Sequence, residues 1–191
     1  MRKWSLVFAL ALVFGLSTAN ASDWTYSFTS TNISGSGSMT ATPSGDVTYP
    51  YLATTADGNI TSGIYDGAVL SLIATTGPGI NTSPDGAFFY DNLFSYPPSD
   101  PGLYLDNNGL LFAFTTTTGN YELNVYGNGS DSTGHNYSVY SYNPGVGYEV
   151  AESGVAAFAV SPSPVPEPGF YGVLALGLSG LFVGVRRRRR T

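Results

Sequence analysis

Cysteine is absent from the 191 residues. No disulfide, thiol nucleophile or thiolate metal site is therefore available, and the fold must rest on packing and backbone hydrogen bonds. Histidine occurs once, at His135, which excludes multi-histidine metal centres and leaves a Ser-His-Asp triad only one candidate base. No G-x-S-x-G elbow accompanies it, and His135 follows Gly134 in a polar stretch, the setting of an exposed loop histidine. Basic residues are missing from the whole interval between Trp4 and Val185: Arg2, Lys3 and Arg186 to Arg190 are the seven Lys and Arg, while all 13 acidic residues lie between Asp23 and Glu167. An acidic interval with no guanidinium or ammonium cannot neutralise phosphates and is repelled by a nucleic-acid backbone, so no nucleic-acid partner is expected. The lack of lysine there also excludes Schiff-base chemistry.

Helical periodicity is wanting as well, and a period of two takes its place. Trp24, Tyr26 and Phe28 alternate with Thr25, Ser27 and Thr29, as one buried face of a strand requires. Further runs rich in Val, Ile, Thr, Tyr and Phe predict strands at Gly35 to Ala41, Val47 to Ala53, Ile60 to Tyr65, Val69 to Thr75, Ala87 to Tyr90 and Leu103 to Leu105. Others are predicted at Leu110 to Thr116, Tyr121 to Tyr126, Asn136 to Tyr142, Gly147 to Val150 and Val155 to Val160. Asn108-Gly109 suits a type I′ turn and predicts a hairpin of 103–105 with 110–114, and Gly119-Asn120 a second one, making a meander. Gly77 to Pro101, with Pro78, Pro84, Pro97, Pro98 and Pro101, reads as a long irregular excursion of the kind that carries binding surfaces or simply crosses between sheets. The expected fold class is all-β, an antiparallel β-sandwich or flattened barrel, with a signal helix before it and a single transmembrane helix after it.

The ends of the chain give an address. Met1-Arg2-Lys3, the apolar run Trp4 to Leu16 and the A-x-A site Ala19-Asn20-Ala21 before Ser22 form a secretory signal peptide cleaved after Ala21. As a helix its 13 apolar residues rise only about 20 Å, short of the roughly 30 Å hydrocarbon core. At the other end, Val165-Pro166-Glu167-Pro168 precedes the apolar run Gly169 to Val185, the cluster Arg186, Arg187, Arg188, Arg189 and Arg190, and Thr191. The apolar run spans about 25 Å as a helix, enough for a bilayer with arginines snorkelling, and the arginines act as a cytoplasmic stop. Gly180 and Gly184 are spaced for packing against another membrane helix. The organisation that follows is a signal peptide at 1–21, an acidic β-domain at 22–160, a Pro-rich linker with the sorting motif at 161–168, a membrane helix at 169–185 and a basic tail at 186–191.

The tail, in its order, spacing and position, resembles the PEP-CTERM sorting signal of bacterial exported proteins. The resemblance rests on Pro166, Glu167 and Pro168 with the apolar run and arginines behind them, and Gly169, Phe170 and Tyr171 follow where many members place a Ser or Thr. It implies an exosortase-type membrane protease as partner, transient anchoring in the inner membrane, and a destination at the cell surface or in an extracellular polysaccharide matrix of a Gram-negative bacterium. The interior, on Tyr90-Asp91-Asn92 and Leu105-Asp106-Asn107-Asn108-Gly109, resembles the Tyr-rich, Lys-poor exported proteins that carry such tails. A GPI signal fits less well, because five arginines follow the apolar run. The N-x-[ST] triplets at Asn32, Asn59, Asn81, Asn128 and Asn136 follow from composition in a chain this rich in Asn, Ser and Thr.

Three chemistries remain for the domain. Glu122, Glu149 and Glu152 are the carboxylates a glycosidase would pair across a cleft, although Glu122 alternates with apolar neighbours as an outward strand residue does. No cofactor is required; Ca²⁺ is the one ion for which hard oxygens are on offer, at Asp85, Asp91, Asp106 and Asn108, without the EF-hand spacing. Tyr121, Tyr126, Tyr137, Tyr140, Tyr142 and Tyr148 crowd the last third, with Tyr137 out of phase with Tyr140 and Tyr142, so aromatics are expected on both faces of that strand. The leading expectation is a non-enzymatic surface or matrix protein associated with exopolysaccharide and biofilm. The alternatives are a secreted carbohydrate-active enzyme and a Ca-dependent glycan-binding module.

Overall fold

A computed structural model describes residues 22–99, 103–129 and 137–163. The signal-peptide residues Ala19 and Ala21, the motif Val165 to Pro168, the apolar run Gly169 to Val185, Arg186 to Arg190 and His135 lie outside the described residues. No helix occurs among the described residues, so none there is long and apolar enough to cross a membrane.

The described residues form twelve strands: β1 (Ser22–Thr29), β2 (Ile33–Pro43), β3 (Tyr51–Gly63), β4 (Val69–Leu72), β5 (Asn81–Thr82), β6 (Phe89–Tyr90), β7 (Leu93–Ser99), β8 (Leu103–Leu105), β9 (Leu110–Thr116), β10 (Gly119–Gly127), β11 (Tyr137–Asn143) and β12 (Gly147–Pro162). Eight of them close a ring in the order β1, β2, β3, β4, β9, β10, β11, β12 and back to β1. Every pairing in it is antiparallel. The architecture is thus a closed barrel rather than a sandwich, and closure removes the open edges that a sandwich would have to protect. The wall is an up-and-down meander interrupted once, between β4 and β9, by the segment 73–109.

Period-two patterning fills the barrel. Trp24, Tyr26 and Phe28 point inward from β1, Leu110, Phe112 and Phe114 from β9, Leu123 and Val125 from β10, and Phe158 and Val160 from β12. Each large side chain taken wholly out of water contributes about 1.5–3 kcal/mol. Glycines of β2 and β3 make room for the rings: a Cβ on Gly35 would lie 2.5 Å from Phe28 Cζ, and one on Gly58 would lie 2.5 Å from Tyr26 Oη. Asp57-Gly58, which falls between the strands predicted at Val47 to Ala53 and Ile60 to Tyr65, therefore sits inside the single strand β3.

Other local expectations shift for identifiable reasons. Asp46 Oδ1 accepts the N–H groups of Thr48 and Tyr49, so 46–49 is a turn in which Val47 is 98% exposed, and β3 starts only at Tyr51. Gly147 to Val150 and Val155 to Val160 are one strand with irregular pairing where β12 passes β11; β12 runs on until Ser161 and Pro162 pair with Thr25 and Trp24. The Asn108-Gly109 hairpin does not form. The positions beside β9 are taken by β4 and β10, while β8 pairs with β7. Asp106 Oδ1 instead accepts the N–H groups of Asn108 and Gly109, which turns 106–109 into a crossover. The Gly119-Asn120 hairpin of β9 with β10 is present.

The excursion 77–101 is more regular than its prolines suggest. β5 and β6 pair as a small separate hairpin, and Pro97 and Pro98 lie within β7, which pairs with β3 through Leu93 and Phe94; the Tyr96–Pro97 peptide is cis. Phe88 and Tyr90, brought by this segment, pack on Leu111 in a second apolar cluster outside the barrel, with Ile73, Tyr140 and Tyr142 around them.

Candidate functional site

The six clustered tyrosines divide between the two sides of the wall. Tyr121 and Tyr137 are in the barrel interior: Tyr121 stacks on Phe114 at 5.1 Å, and Tyr137 packs on Phe158 while its hydroxyl accepts the Tyr104 N–H at 2.8 Å. The other four form an array on the outer wall of β10, β11 and β12. Tyr126 stacks on Tyr140 with centroids 6.0 Å apart, Tyr148 meets Tyr140 edge-on at 6.1 Å, and Tyr142 lies 5.1 Å from Tyr148. The phase difference between Tyr137 and the pair Tyr140 and Tyr142 is what sorts them.

Between this array and the β5–β6 hairpin lies a cleft of about 390 Å³. Its aromatic walls are Tyr126, Tyr140 and Tyr148 on one side and Phe88 and Phe89 on the other, and its polar groups come from Asn107, Asn108 and Asn124. Phe89 is 66% exposed and Tyr148 54% exposed, so the rings at the rim present faces to solvent. Tyr148 also donates its hydroxyl to the Ala87 carbonyl at 3.1 Å, which ties the two walls together. Asn124 donates Nδ2 to the carbonyls of Phe89 and Asn108, and its Oδ1 is buried with no partner among the described residues. An unanswered acceptor in an apolar wall costs free energy until a donor reaches it.

Three of the four predicted cation ligands come together beside this cleft. Asn108 Nδ2 donates to Asp91 Oδ2 at 3.0 Å and to Asp106 Oδ2 at 3.2 Å, and Asp91 Oδ1 accepts the Leu93 N–H at 3.0 Å. Burial, reinforced by the adjoining Asp106 carboxyl, pushes the Asp91 carboxyl up to about 7. Asn108 offers this pair its amide nitrogen, whereas a cation would need the amide oxygen turned inward. Asp85 stands apart from them on the β5–β6 turn, and it is its backbone N–H that bonds, to Glu122 Oε1 at 2.9 Å. No three His, Cys, Asp or Glu side chains converge among the described residues.

The glycosidase candidates sit in three different networks. Glu122 is buried under the β5–β6 hairpin beside Tyr90, whose hydroxyl is pushed up by its own burial and then by the Glu122 charge. Glu152 accepts the N–H groups of Thr31 and Asn32 and the Asn32 amide, fastening the β1–β2 turn. Glu149 accepts the Tyr65 hydroxyl at one end of the barrel, in a cleft of about 740 Å³ that Asp66 and Thr115 to Thr118 also line. Burial and the Glu149 bond push the Tyr65 hydroxyl upward.

Reasoning from the sequence noted Asn92 only beside Asp91, not for its place in the fold, and missed Asn124 and Phe89. Asn92 is wholly buried with a positive φ of 58°, and an Asn in a Tyr-Asp-Asn run between strands is the available signal for it. Asn124 gave its signal as a polar residue on the same strand face as Glu122. No protein family, curated protein or solved structure matches this chain. Its site has to be read from its own geometry.

Proposed function

We propose that this chain is an exported, transiently membrane-anchored surface or extracellular-matrix protein, not an enzyme, whose barrel holds an uncharged exopolysaccharide in the tyrosine cleft. The observation that carries the reading is the cleft itself: the solvent-facing rings of Phe89 and Tyr148 and the half-buried ring of Tyr140 beside the amides of Asn107, Asn108 and Asn124. The apolar C–H faces of pyranose rings pack on aromatic rings, and their hydroxyls pair with amide donors and acceptors. The absence of Lys and Arg between Trp4 and Val185 disfavours a uronate or sulfated chain, which would meet only like charge. Export, the exosortase-type protease as partner and membrane anchoring rest on the signal peptide and on Val165 to Arg190. The Ser163 N–H donates to the Asp23 carbonyl at 2.8 Å, so the segment leading to that tail leaves the barrel where β1 enters.

The test is retention of the mature protein on the host's own exopolysaccharide, on an uncharged glucan and on a polyuronate, with and without a calcium chelator. Binding to the first two that resists chelation supports the reading. Retention unchanged by the double substitution Tyr140→Ala and Tyr148→Ala sinks it, and retention lost on chelation replaces it with a Ca-dependent glycan-binding module. Mass spectrometry of the C-terminus from the native host tests sorting, since Arg186 to Arg190 persisting in every molecule excludes processing. A carbohydrate-active enzyme is the second reading, favoured by Asp66 and Glu149 lining one barrel-end cleft. Release of new reducing ends that disappears with Glu149→Gln would establish it.

A further inference from the structure

One end of the barrel holds both the point where β1 begins and the point where β12 runs out. Ser22 stands opposite Ala41 and Trp24 opposite Pro162, and the Ser163 N–H is tied to the Asp23 carbonyl. β2 ends two positions past Ala41, at Pro43, which faces Tyr51 of β3, so the turn 44–50 projects from this same end. That turn is braced. Asp46 Oδ1 accepts the N–H groups of Thr48 and Tyr49 at 2.7 and 2.9 Å, the Ser44 N–H donates to the Pro50 carbonyl at 2.9 Å, and the Ser44 hydroxyl donates to the Tyr49 carbonyl at 2.7 Å. Val47 is held out at its tip, 98% exposed. Beside the turn, β7 continues past its Phe94–Tyr51 pairing to Tyr96, Pro97 and Pro98, all exposed, and the Tyr96 ring meets Trp24 edge-on at 5.5 Å.

We propose that this end of the barrel, led by Val47 and flanked by Tyr96, Pro97 and Pro98, docks on the lipid surface of the membrane in which the chain is anchored. The inference rests on the anchoring reading and adds to it the face that meets the bilayer. Only Pro164 to Pro168 separate Ser163 from Gly169, where the apolar run begins, so even a fully extended chain keeps Gly169 within about 22 Å of Ser163. The opposite end, where the β11–β12 turn carries the exposed Val146, is separated from the docking end by the seven residues of β11, or about 23 Å. A tether this short sustains an effective concentration on the order of millimolar, at which contacts too weak to form from free solution persist. The chemistry suits a bilayer interface: an aliphatic tip enters the acyl boundary, while Trp and Tyr rings with a polar edge sit at the level of the headgroups. Lys and Arg are absent between Trp4 and Val185, so the contact is apolar and not a polybasic attachment to anionic headgroups. Because the turn is already ordered, little freedom is lost when Val47 docks. Cutting the tail removes the tether, so the contact lasts as long as the anchor.

The chain has no cysteine, so a single introduced one takes an environment-sensitive fluorophore without competition. The mature chain, 22–191, is reconstituted through its own apolar run into phosphatidylcholine vesicles, labelled at Val47→Cys, at Thr48→Cys or, on the opposite end, at Val146→Cys, all exposed positions. The Val47 and Thr48 labels are expected to emit to the blue of the Val146 label, to lose several-fold in quenching by a water-soluble quencher and to be quenched by a lipid-borne one. Adding Val47→Asp to Thr48→Cys should return its label to the behaviour of the Val146 label. If the chain floats with the vesicles while the Val47 and Thr48 labels are as wet as the Val146 label, the proposal is overturned and anchoring stands. A Thr48 label that stays shielded when Val47→Asp is present also overturns it, since the tether alone would then account for the proximity. Shielding in native host membranes but not in pure lipid would assign this end to a protein partner and likewise overturn it. A chain that does not float with the vesicles removes the anchoring reading and this inference together.

Discussion

Asn92 Oδ1 accepts the backbone N–H of Leu111 at 3.1 Å, one of four bonds by which this residue bridges the seam between β3 and β9. β4 is only four residues long and ends at Leu72; past it β9 takes one more bond, from the Ile73 N–H to the Leu111 carbonyl at 2.8 Å, while β3 turns to β7 at Leu52 and Tyr51. Asn92 fills the gap from both its backbone and its side chain. Its carbonyl accepts from Ala53 of β3 at 2.9 Å, its N–H donates to the Gly109 carbonyl at 3.0 Å, and its Nδ2 donates to the Ile73 carbonyl just past β4 at 2.8 Å. Asn92→Ala strands the buried Leu111 N–H and the part-buried Ile73 carbonyl and forces a β-carbon without a local hydrogen bond into a left-handed conformation. The expected loss is about 2–4 kcal/mol in urea unfolding. Asn92→Gly loses the same side-chain bonds but takes the positive φ without strain and should lose less; equal losses would show that the left-handed strain contributes little.

Gly109 tests the same seam from the other side. Its φ is +64°, and a Cβ there would lie 2.1 Å from the Val125 carbonyl oxygen and 2.6 Å from Tyr126 Cα. Both are backbone atoms of a paired strand and cannot step aside. Gly109→Ala should therefore lower stability by about 2 kcal/mol or more, whereas Gly45→Ala, with nothing within 4 Å of the added carbon, carries only the strain of its positive φ, of order 1 kcal/mol. Thermal unfolding of the two variants side by side decides it, and similar shifts in Tm would contradict close packing at Gly109.

The strands were legible because their residues alternate, and the closure was not, because closure depends on what lies beside what. Trp24, Tyr26 and Phe28 announce a buried face wherever β1 ends up, and the split of Tyr137 from Tyr140 and Tyr142 follows from spacing alone. Asn108-Gly109 carries the local signature of a hairpin, yet the strand beside β9 is chosen by competition with β4 and β10, which no short window contains. The tyrosine cleft lies between these cases. Its rings were visible as a cluster, but its other wall comes from Ala87, Phe88 and Phe89, 51 to 61 positions away from Tyr140 and Tyr148, carried there by an insertion whose prolines suggested irregularity. The pairing of Asp91 with Asp106 depends on the same fold-back.

Asp91 also makes a prediction for stability against pH. Burial and the neighbouring Asp106 raise its carboxyl from 3.8 to about 7. Between those values the folded chain keeps a proton that the unfolded chain has released. This carboxyl's contribution is accordingly full below the unfolded value, declines as pH rises through the interval, and is level above about 7. Other carboxylates overlay their own dependence, so the informative quantity is the difference in Tm between the parent chain and Asp91→Asn. Asp91→Asn should gain on the parent steadily from about pH 4 to about pH 7 and then hold a constant lead. A difference that does not change over that range would mean that Asp91 is ionised in the folded protein.

The tyrosines allow a contrast internal to one strand. Tyr140 faces the cleft and Tyr137, three residues earlier on β11, faces the core. If the outer rings hold a glycan, Tyr140→Ala and Tyr148→Ala should each weaken retention on the exopolysaccharide by about tenfold or more, equivalent to roughly 1.4 kcal/mol. Their effect on Tm should be smaller than that of a core truncation, since Tyr148 is 54% exposed. Tyr137→Phe should do the reverse. It leaves the Tyr104 N–H without its acceptor, which costs on the order of 1–3 kcal/mol of stability, yet it leaves the outer wall in place, so retention by the folded fraction should equal that of the parent. Tyr148→Phe separates the two contributions of that residue, because the ring remains while the bond to the Ala87 carbonyl is lost. Near-parental retention by Tyr148→Phe together with loss in Tyr148→Ala would identify the ring face, rather than the tie between the walls, as what the glycan uses. The opposite pattern would assign Tyr148 to holding the β5–β6 hairpin in position.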